Sequence, residues 1–221
     1  MGLSTDDIAA VLVTRGDGLD GVDLAPILSA LPFPVVVWDN QRRPFNAKVF
    51  GRYLAILETD RPVIFTQDDD AIVHCIPELI AHYEPGKIVA AMKKGHRPGE
   101  PPMLGWGALF DRDLPWRAFE RWLQRWPLDW QMTGYPETIF TALTPCVRLD
   151  FDGGGHEDLP WSSGPTRSHH QPQHYDEFAL VLERASALAE GKLSVREVYM
   201  SALGERLAAF SEGRSSEPWA R

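Results

Sequence analysis

The stretch VIFTQDDD, residues 63–70, decides the fold class, because four apolar or β-branched residues run directly into a polar residue and three consecutive carboxylates. Residues 63–66 have the composition of a short buried strand, and the polar residues after them mark its end. The pattern at residues 76–83 then predicts a helix. We therefore expect the three carboxylates to lie at the carboxyl end of a strand in a sheet covered by helices.

Short β-branched runs alternate with helical patterns on both sides of this stretch. Further strands are predicted at residues 8–14, 34–38 and 87–92, and further helices at residues 24–31 and 46–58. This rhythm favours an α/β fold with a mixed, mostly parallel sheet flanked by helices. Ligands bind beyond the carboxyl ends of the strands in such sheets. Arg15, Asp39 and the carboxylates at 68–70 should therefore meet in one crevice.

The second part of the chain is less regular. Its predicted elements are a strand at 103–110, helices at 114–126 and 137–143, a strand at 146–151, a long loop at 152–173, and two tail helices at 176–190 and 194–210. Asp113 is expected to cap the helix at 114–126, with Pro115 in its first turn. Together these patterns predict a single domain with a helical C-terminal tail at 176–221.

Composition narrows the class of protein further. The 221 residues carry a formal net charge of -9, which argues against a general electrostatic grip on nucleic acid or on an anionic membrane. Acidic residues near the start and the lack of a long apolar run predict neither a secretion signal nor a membrane-spanning helix, so a cytoplasmic protein is expected. Cys75 and Cys146 are far apart and are expected to be buried, reduced thiols.

Three adjacent carboxylates repel one another unless a positive charge lies close by. Mg²⁺ or Mn²⁺ is typically held by one or two carboxylates together with substrate phosphates, so a divalent ion here would bridge the phosphates of a nucleoside diphosphate. Asp68 and Asp70 point the same way if the extended backbone continues, and Asp69 then points elsewhere. The alternative is a solvated acidic turn in which an aspartate caps the next helix.

An apolar strand, three aspartates and the apolar start of a helix resemble the Asp-x-Asp motif of GT-A nucleotide-sugar transferases, in particular exostosin-like enzymes and related small bacterial or phage enzymes. Residues 104–110, LGWGALF, are similar to the small-residue strand on the acceptor side of those enzymes. Residues 135–140, YPETIF, are similar to the segment where they carry a Glu-Asp pair. The resemblance covers residues 8–150. It implies a GT-A (Rossmann-like) fold, with a nucleotide-sugar-binding half at 8–100 and an acceptor half and loop at 101–175.

The resemblance also implies a metal and a catalytic set. Asp68 and Asp70 would hold Mn²⁺ or Mg²⁺, with His156 as the third ligand, and the histidines of the stretch SHH at 168–170 are the alternative. Glu137 and Asp69 are the predicted catalytic carboxylates, and Glu137 would act as general base toward an acceptor hydroxyl or orient that acceptor. The family's second acid is replaced by Thr138, so the role would fall to Asp129 if the second position carries it. A purely structural Glu137 that favours the helix N-terminus is the alternative.

The remaining predicted site residues divide between donor and acceptor. The nucleotide-sugar is expected to contact Thr14, Arg15, Asp39, Arg52 and Asp68. The acceptor is expected to contact Trp106 and Gly107. A local basic strip for a phosphate-bearing acceptor would consist of Lys93, Lys94, His96 and Arg97, although a solvated loop is the other interpretation.

The leading functional prediction is transfer of a sugar from a nucleoside-diphosphate sugar, with a UDP-sugar favoured, to a hydroxyl acceptor. The acceptor stays open among glycans, lipids, small molecules and hydroxymethylated bases of phage DNA, so nucleic acid enters only as an acceptor. A nucleotidyltransferase is one alternative, for which residues 14–18, TRGDG, make a poor phosphate loop. A non-catalytic domain that binds nucleotide or a partner protein is the other, and Thr138 is its best support.

Overall fold

The computed structural model describes residues 2–14, 23–96 and 101–160, together with Leu180, Val181 and Ala185. The strands are β1 (Ile8–Thr14), β2 (Val35–Asp39), β3 (Val63–Thr66), β4 (Ala71–Val73), β5 (Ile88–Lys93), β6 (Ala108–Asp111), β7 (Cys146–Phe151) and β8 (His156–Asp158). The α-helices are α1 (Ala25–Ala30), α2 (Gly51–Ile56), α3 (Ile76–Ala81), α4 (Leu114–Leu123), α5 (Trp130–Gly134) and α6 (Pro136–Leu143). Short 3-10 turns lie at Thr5–Asp7, Lys48–Phe50, Leu104–Trp106 and Asp152–Gly154.

Six strands form one mixed sheet in the order β2-β1-β3-β6-β5-β7. β1 is parallel to both β2 and β3, and β5 is parallel to β7. β6 is antiparallel to its two neighbours, β3 and β5. The predicted α/β class with a mostly parallel mixed sheet is therefore confirmed. β4 and β8 pair antiparallel in a separate two-stranded sheet.

The six-stranded sheet separates two apolar clusters, because successive side chains of a strand point to opposite faces. Val11 and Val13 of β1 belong to one cluster, whereas Ala10 and Leu12 belong to the other. Helices α2, α4 and α6 cover the first face, and α1 and α3 cover the second. The prediction of helices on both faces is thus confirmed. Val181 and Ala185 are buried in the first cluster, and the rest of the predicted tail lies outside the described residues.

The predicted boundaries agree best for three strands of the six-stranded sheet. β1, β3 and β7 span the predicted residues one for one. The helix predicted at 46–58 begins as the 3-10 turn Lys48–Phe50, in which Lys48 has a φ of 53°. The helix predicted at 114–126 ends at Leu123. Asp113 occupies its N-cap position, but its carboxylate pairs with Arg117 and caps no backbone N–H.

Two predictions in the second part were wrong. The strand predicted at 103–110 is a 3-10 turn in its first half, and Gly107, with a φ of 106°, separates that turn from β6. The loop predicted at 152–173 contains a 3-10 turn and then β8, which returns to pair with β4 directly after the acidic run. Both of these short elements depend on tertiary contacts for their stability.

Two further expectations concern the chain as a whole. Within the described ranges, none of the helices has the length and apolar character needed to cross a membrane. Cys75 and Cys146 both carry free thiols, as predicted, but only Cys75 is buried as expected, since Cys146 is half-buried.

Candidate functional site

The carboxyl ends of three parallel strands lie at one edge of the six-stranded sheet. Thr14 at the end of β1 pairs with Asp39 at the end of β2, and Val11 pairs with Thr66 at the end of β3. The acidic run at 68–70 therefore begins just beyond this edge. Ala108 pairs antiparallel with Thr66, so the Leu104–Trp106 turn lies at the same edge. Arg15, which was predicted to join this group, lies outside the described residues.

Arg52 of α2 connects the acid at the end of β3 to the acid at the start of α6. Its Nη2 donates to Oδ1 of Asp68, and its Nη1 donates to Oε2 of Glu137 at 3.1 Å. The Arg52 side chain is 3% exposed, whereas Asp68 is 37% and Glu137 is 31% exposed. A buried cation thus lies between two carboxylates that reach solvent. The sequence predicted a role for each of the three residues but not their contact.

The charges in this cluster perturb one another. Burial lowers the pKa of the Arg52 guanidinium, but the charges of Asp68 and Glu137 outweigh that effect and raise the pKa above its ordinary value. Burial raises the pKa of the Glu137 carboxyl, and the Arg52 charge opposes the rise. Arg52 is therefore a permanent cation, and Glu137 is a better proton acceptor than an ordinary carboxylate.

Glu137 uses both of its oxygens. While Oε2 accepts from Arg52, Oε1 accepts from the backbone N–H of Leu104, the first residue of the 3-10 turn. The carboxylate thus ties α6 to the turn as well as to α2. A structural role in holding the turn is a specific alternative to the general-base role, and the two roles are compatible.

Gly105, in the same turn, packs directly against the carboxylate of Asp68. The backbone N–H of Asp68 donates to the carbonyl of Gly105 at 3.0 Å. A Cβ on Gly105 would lie 2.1 Å from Oδ2 of Asp68. Sequence reasoning recognised the small residues at 104–110 but did not single out Gly105. Its contact with an acid 37 positions away in the chain depends on the β3–β6 pairing.

The other two acids of the run are buried, since Asp69 is 5% and Asp70 is 6% exposed. Over the described ranges, no group of three His, Cys, Asp or Glu side chains is arranged to hold a metal ion. Asp68 is the acid with an accessible carboxylate, and one carboxylate with phosphate oxygens and water is a common way to hold Mg²⁺. The donor set fits a cation that arrives with a diphosphate better than a cage made of protein ligands.

Trp106 and His156 stack on each other, with ring centroids 4.9 Å apart and planes 23° apart. The ring of His96 also contacts Trp106, at 4.8 Å. The His156 side chain is 6% exposed, and its Nε2 lies 3.6 Å from Oδ1 of Asp158. Trp106, predicted to contact the acceptor, and His156, the predicted third metal ligand, therefore each cover one face of the other's ring. Their functional roles stay predictions, and sequence reasoning missed the aromatic contact of His96.

Gly107, the residue after Trp106, is buried. Its carbonyl accepts from the backbone N–H of Ala91 at 2.9 Å. A Cβ at this position would lie 2.8 Å from a methyl group of Val73 in β4. Glycine is therefore required here by its φ and by packing between the two sheets. The predicted contact with an acceptor stays a prediction.

Asn40, rather than its neighbour Asp39, is the centre of hydrogen bonding at the end of β2. Its amide group makes four hydrogen bonds: Nδ2 donates to the carbonyls of Thr14 at 2.8 Å and Lys48 at 3.1 Å, and Oδ1 accepts from Trp38 Nε1 at 3.0 Å and Ala47 N at 2.8 Å. The side chain is buried. Asn40 thus joins the ends of β1 and β2 to the segment that leads into α2, the helix of Arg52.

Asp39 takes part in a local turn. Its Oδ1 accepts from the backbone N–H of Gln41 at 2.9 Å, and its Oδ2 pairs with the exposed Arg42 at 3.3 Å. The Asp39 side chain is 31% exposed. It lies at the predicted edge of the sheet, as does Thr14, and the predicted contact of both residues with a donor stays a prediction.

These features define an α/β protein with a mixed six-stranded sheet and an acid–arginine–acid cluster at its carboxyl edge. No family model and no curated protein matches the sequence. Among solved structures, A197 from STIV is similar at a TM-score of 0.36 and 13% sequence identity, over 65% of this chain and 81% of that chain. A similarity at this level assigns neither a fold family nor a function.

Proposed function

We propose that this protein is a nucleotide-sugar glycosyltransferase of the GT-A type, which transfers a sugar to a hydroxyl acceptor at the carboxyl edge of β1 and β3. The observation that supports the proposal is the Arg52 bridge between Asp68 and Glu137. One of these acids follows the strand predicted to bind the donor, and the other begins the helix predicted to meet the acceptor. A mixed sheet with an antiparallel strand beside the acidic strand is compatible with this fold family.

The donor side would be formed by Asp68 and Arg52. A guanidinium forms paired, charge-assisted hydrogen bonds with phosphate oxygens, so Arg52 is suited to a diphosphate. Asp68 is the partly exposed acid that would hold Mn²⁺ or Mg²⁺. When bound, such an ion stabilises the negative charge that develops on a departing diphosphate. Asp70 is buried, which makes it a weaker candidate ligand than Asp68.

The acceptor side would be formed by Glu137. In the transfer, the anomeric carbon exchanges its bond to a diphosphate oxygen for a bond to the acceptor oxygen, and the acceptor's proton passes to a base. Glu137 is 31% exposed and has a raised pKa, whereas Asp69 is 5% exposed. Glu137 is therefore preferred to Asp69 as the group that meets the acceptor hydroxyl.

The experiment that tests the proposal is calorimetric binding of UDP-glucose and other nucleotide-sugars with Mn²⁺, followed by an assay for release of the nucleoside diphosphate. We expect Asp68→Ala to weaken donor binding about tenfold or more. Asp60→Ala is the matched control, because Asp60 is an exposed acid before the opposite end of β3. It should bind as the wild type does. No donor binding by the folded wild type would refute the proposal, and binding without turnover would favour the non-catalytic alternative.

A further inference from the structure

Arg52 lies where a counter-ion is needed between two carboxylates. It contacts Oδ1 of Asp68, in the segment after β3, and Oε2 of Glu137, in the first turn of α6. The guanidinium is 3% exposed while both acids are paired with it, so little water reaches it in this arrangement. Removing one partner of a buried charge pair is strongly unfavourable. The guanidinium will therefore stay paired with these acids until another anion becomes available.

A divalent cation that approaches Asp68 competes with Arg52 for the same carboxylate. Oδ1 of Asp68 already accepts from Nη2 of Arg52, and a cation bound close to a guanidinium is repelled by it. Asp68 is the partly exposed acid of the run, whereas Asp69 and Asp70 are buried. The cation therefore competes with Arg52 for the carboxylate that is best placed to bind it. The ligand-free protein should thus have a low affinity for the ion alone.

The cluster also contains buried polar atoms that the present arrangement does not use. Nε of Arg52 and the hydroxyl of Tyr53 are buried without a hydrogen-bond partner among the described residues. Buried donors in proteins are normally paired. Burial raises the pKa of the Tyr53 phenol, and the charge of Glu137 raises it further. Nε of Arg52 is therefore an unused donor that a second arrangement of the guanidinium would employ.

We propose that Arg52 is a positioning residue that makes binding of the divalent cation and of the diphosphate mutually dependent. This inference rests on the proposed donor site. Without a diphosphate, Arg52 neutralises Asp68 and keeps the affinity for the cation low. A diphosphate supplies an anion with which Arg52 pairs, and Asp68 is then released to the cation. By thermodynamic linkage, the cation strengthens diphosphate binding by the same factor.

The test is titration of the full chain with Mn²⁺, followed by electron paramagnetic resonance, with and without UDP and with the Mn²⁺–UDP complex in solution subtracted. Arg52→Gln should bind Mn²⁺ alone about tenfold more tightly than the wild type, because Asp68 has lost its resident cation. UDP should strengthen Mn²⁺ binding about tenfold in the wild type and much less in Arg52→Gln. Arg43→Gln removes the same charge from a guanidinium paired with Glu58, and it should retain the wild-type values.

Equal Mn²⁺ affinities of wild type and Arg52→Gln, or no Mn²⁺ binding by either, would overturn the inference. If Arg52→Gln does not fold, Glu137→Gln gives the complementary measurement. Arg52 then pairs with Asp68 alone, and the affinity for Mn²⁺ without UDP should fall about threefold. An unchanged affinity would again overturn the inference. Tighter Mn²⁺ binding by Arg52→Gln with no UDP binding by any variant would support the competition at Asp68 and refute the proposed donor instead.

Discussion

Gly105 and Asp68 approach so closely that a Cβ on Gly105 would fall 2.1 Å from Oδ2 of the aspartate. Their backbones are joined as well, because the N–H of Asp68 donates to the carbonyl of Gly105 at 3.0 Å. The carboxylate therefore has the turn on one side and Arg52 on the other. Its position at the edge of the sheet is determined by both neighbours.

Gly105→Ala should displace the Asp68 carboxylate and weaken Mn²⁺-dependent donor binding. Overpacking of this kind typically costs about 1–3 kcal/mol in the free energy of unfolding, which urea denaturation would measure. Gly134→Ala is the matched control, since a Cβ there meets nothing within 4 Å and alanine favours the helix. A Gly105→Ala protein as stable as the wild type, with unchanged donor binding, would show that the turn moves away freely.

Substitutions of Glu137 separate its two roles. Glu137→Gln retains an oxygen for the N–H of Leu104 but loses the charge paired with Arg52, and it is a far weaker base, so we expect a folded, less stable protein with transfer reduced about a hundredfold. Glu137→Ala removes the acceptor for both Leu104 and Arg52, and it should cost about 1–3 kcal/mol of stability. Thermal unfolding and initial rates are the measurements. Full activity of Glu137→Gln would assign the residue to positioning alone.

Asn40→Ala should be the more damaging of two asparagine substitutions on the same segment. The substitution removes the amide that donates to the carbonyl of Thr14 and accepts from the N–H of Ala47. These backbone groups are then left unpaired, which should lower the free energy of unfolding by about 2–4 kcal/mol. Asn46→Ala removes one exposed hydrogen bond to the N–H of Lys48 and should cost less than about 1 kcal/mol. Chemical denaturation of both variants measures the two changes in the free energy of unfolding. Similar losses would contradict a special role for Asn40.

Stability should decrease in alkaline solution because of the thiols. Burial raises the pKa of Cys75 to about 11 and that of Cys146 to about 12, from an ordinary value of about 9. The folded state keeps these protons while the unfolded state loses them, so the free energy of unfolding falls as the pH rises from about 9 to about 11 for Cys75 and to about 12 for Cys146. Cys75→Ala should reduce that slope, as measured by denaturation across this range. An identical slope would contradict the raised pKa of Cys75.

The prediction from sequence was most accurate where burial alone determines local structure. β1 and β3 are buried strands rich in β-branched residues, so strand propensity and burial agree there, whereas β7 is a half-buried strand that alternates apolar and polar residues. β4 and β8 have three residues each and were missed. They are stabilised by pairing with each other, for example Ala71 with Asp158, and not by a pattern in the local sequence. The 3-10 turn at 104–106 was predicted as part of the strand at 103–110.

The candidate site was predictable in its residues but not in its contacts. Asp68, Arg52 and Glu137 could each be singled out from strand ends, helix position and motif. Their ion pairs could not, since Arg52 and Glu137 are 85 positions apart in the chain. The stacking of His156 on Trp106 arises in the same way, from the return of the chain to β4. Long-range contacts decide which predicted residues meet.

The pairing of β8 with β4 has a consequence for the order in which the chain folds during its synthesis. The acidic run follows β3 directly and precedes β4, so it is anchored on both sides only after β8 has joined its partner. Contacts between distant segments close late, because the loop entropy must be paid first. On the ribosome, β3 emerges long before β8. We therefore expect a nascent chain that ends before residue 156 to lack the anchor on the β4 side of the acidic run, so that full competence for ligand binding arrives only after β8 has been synthesised.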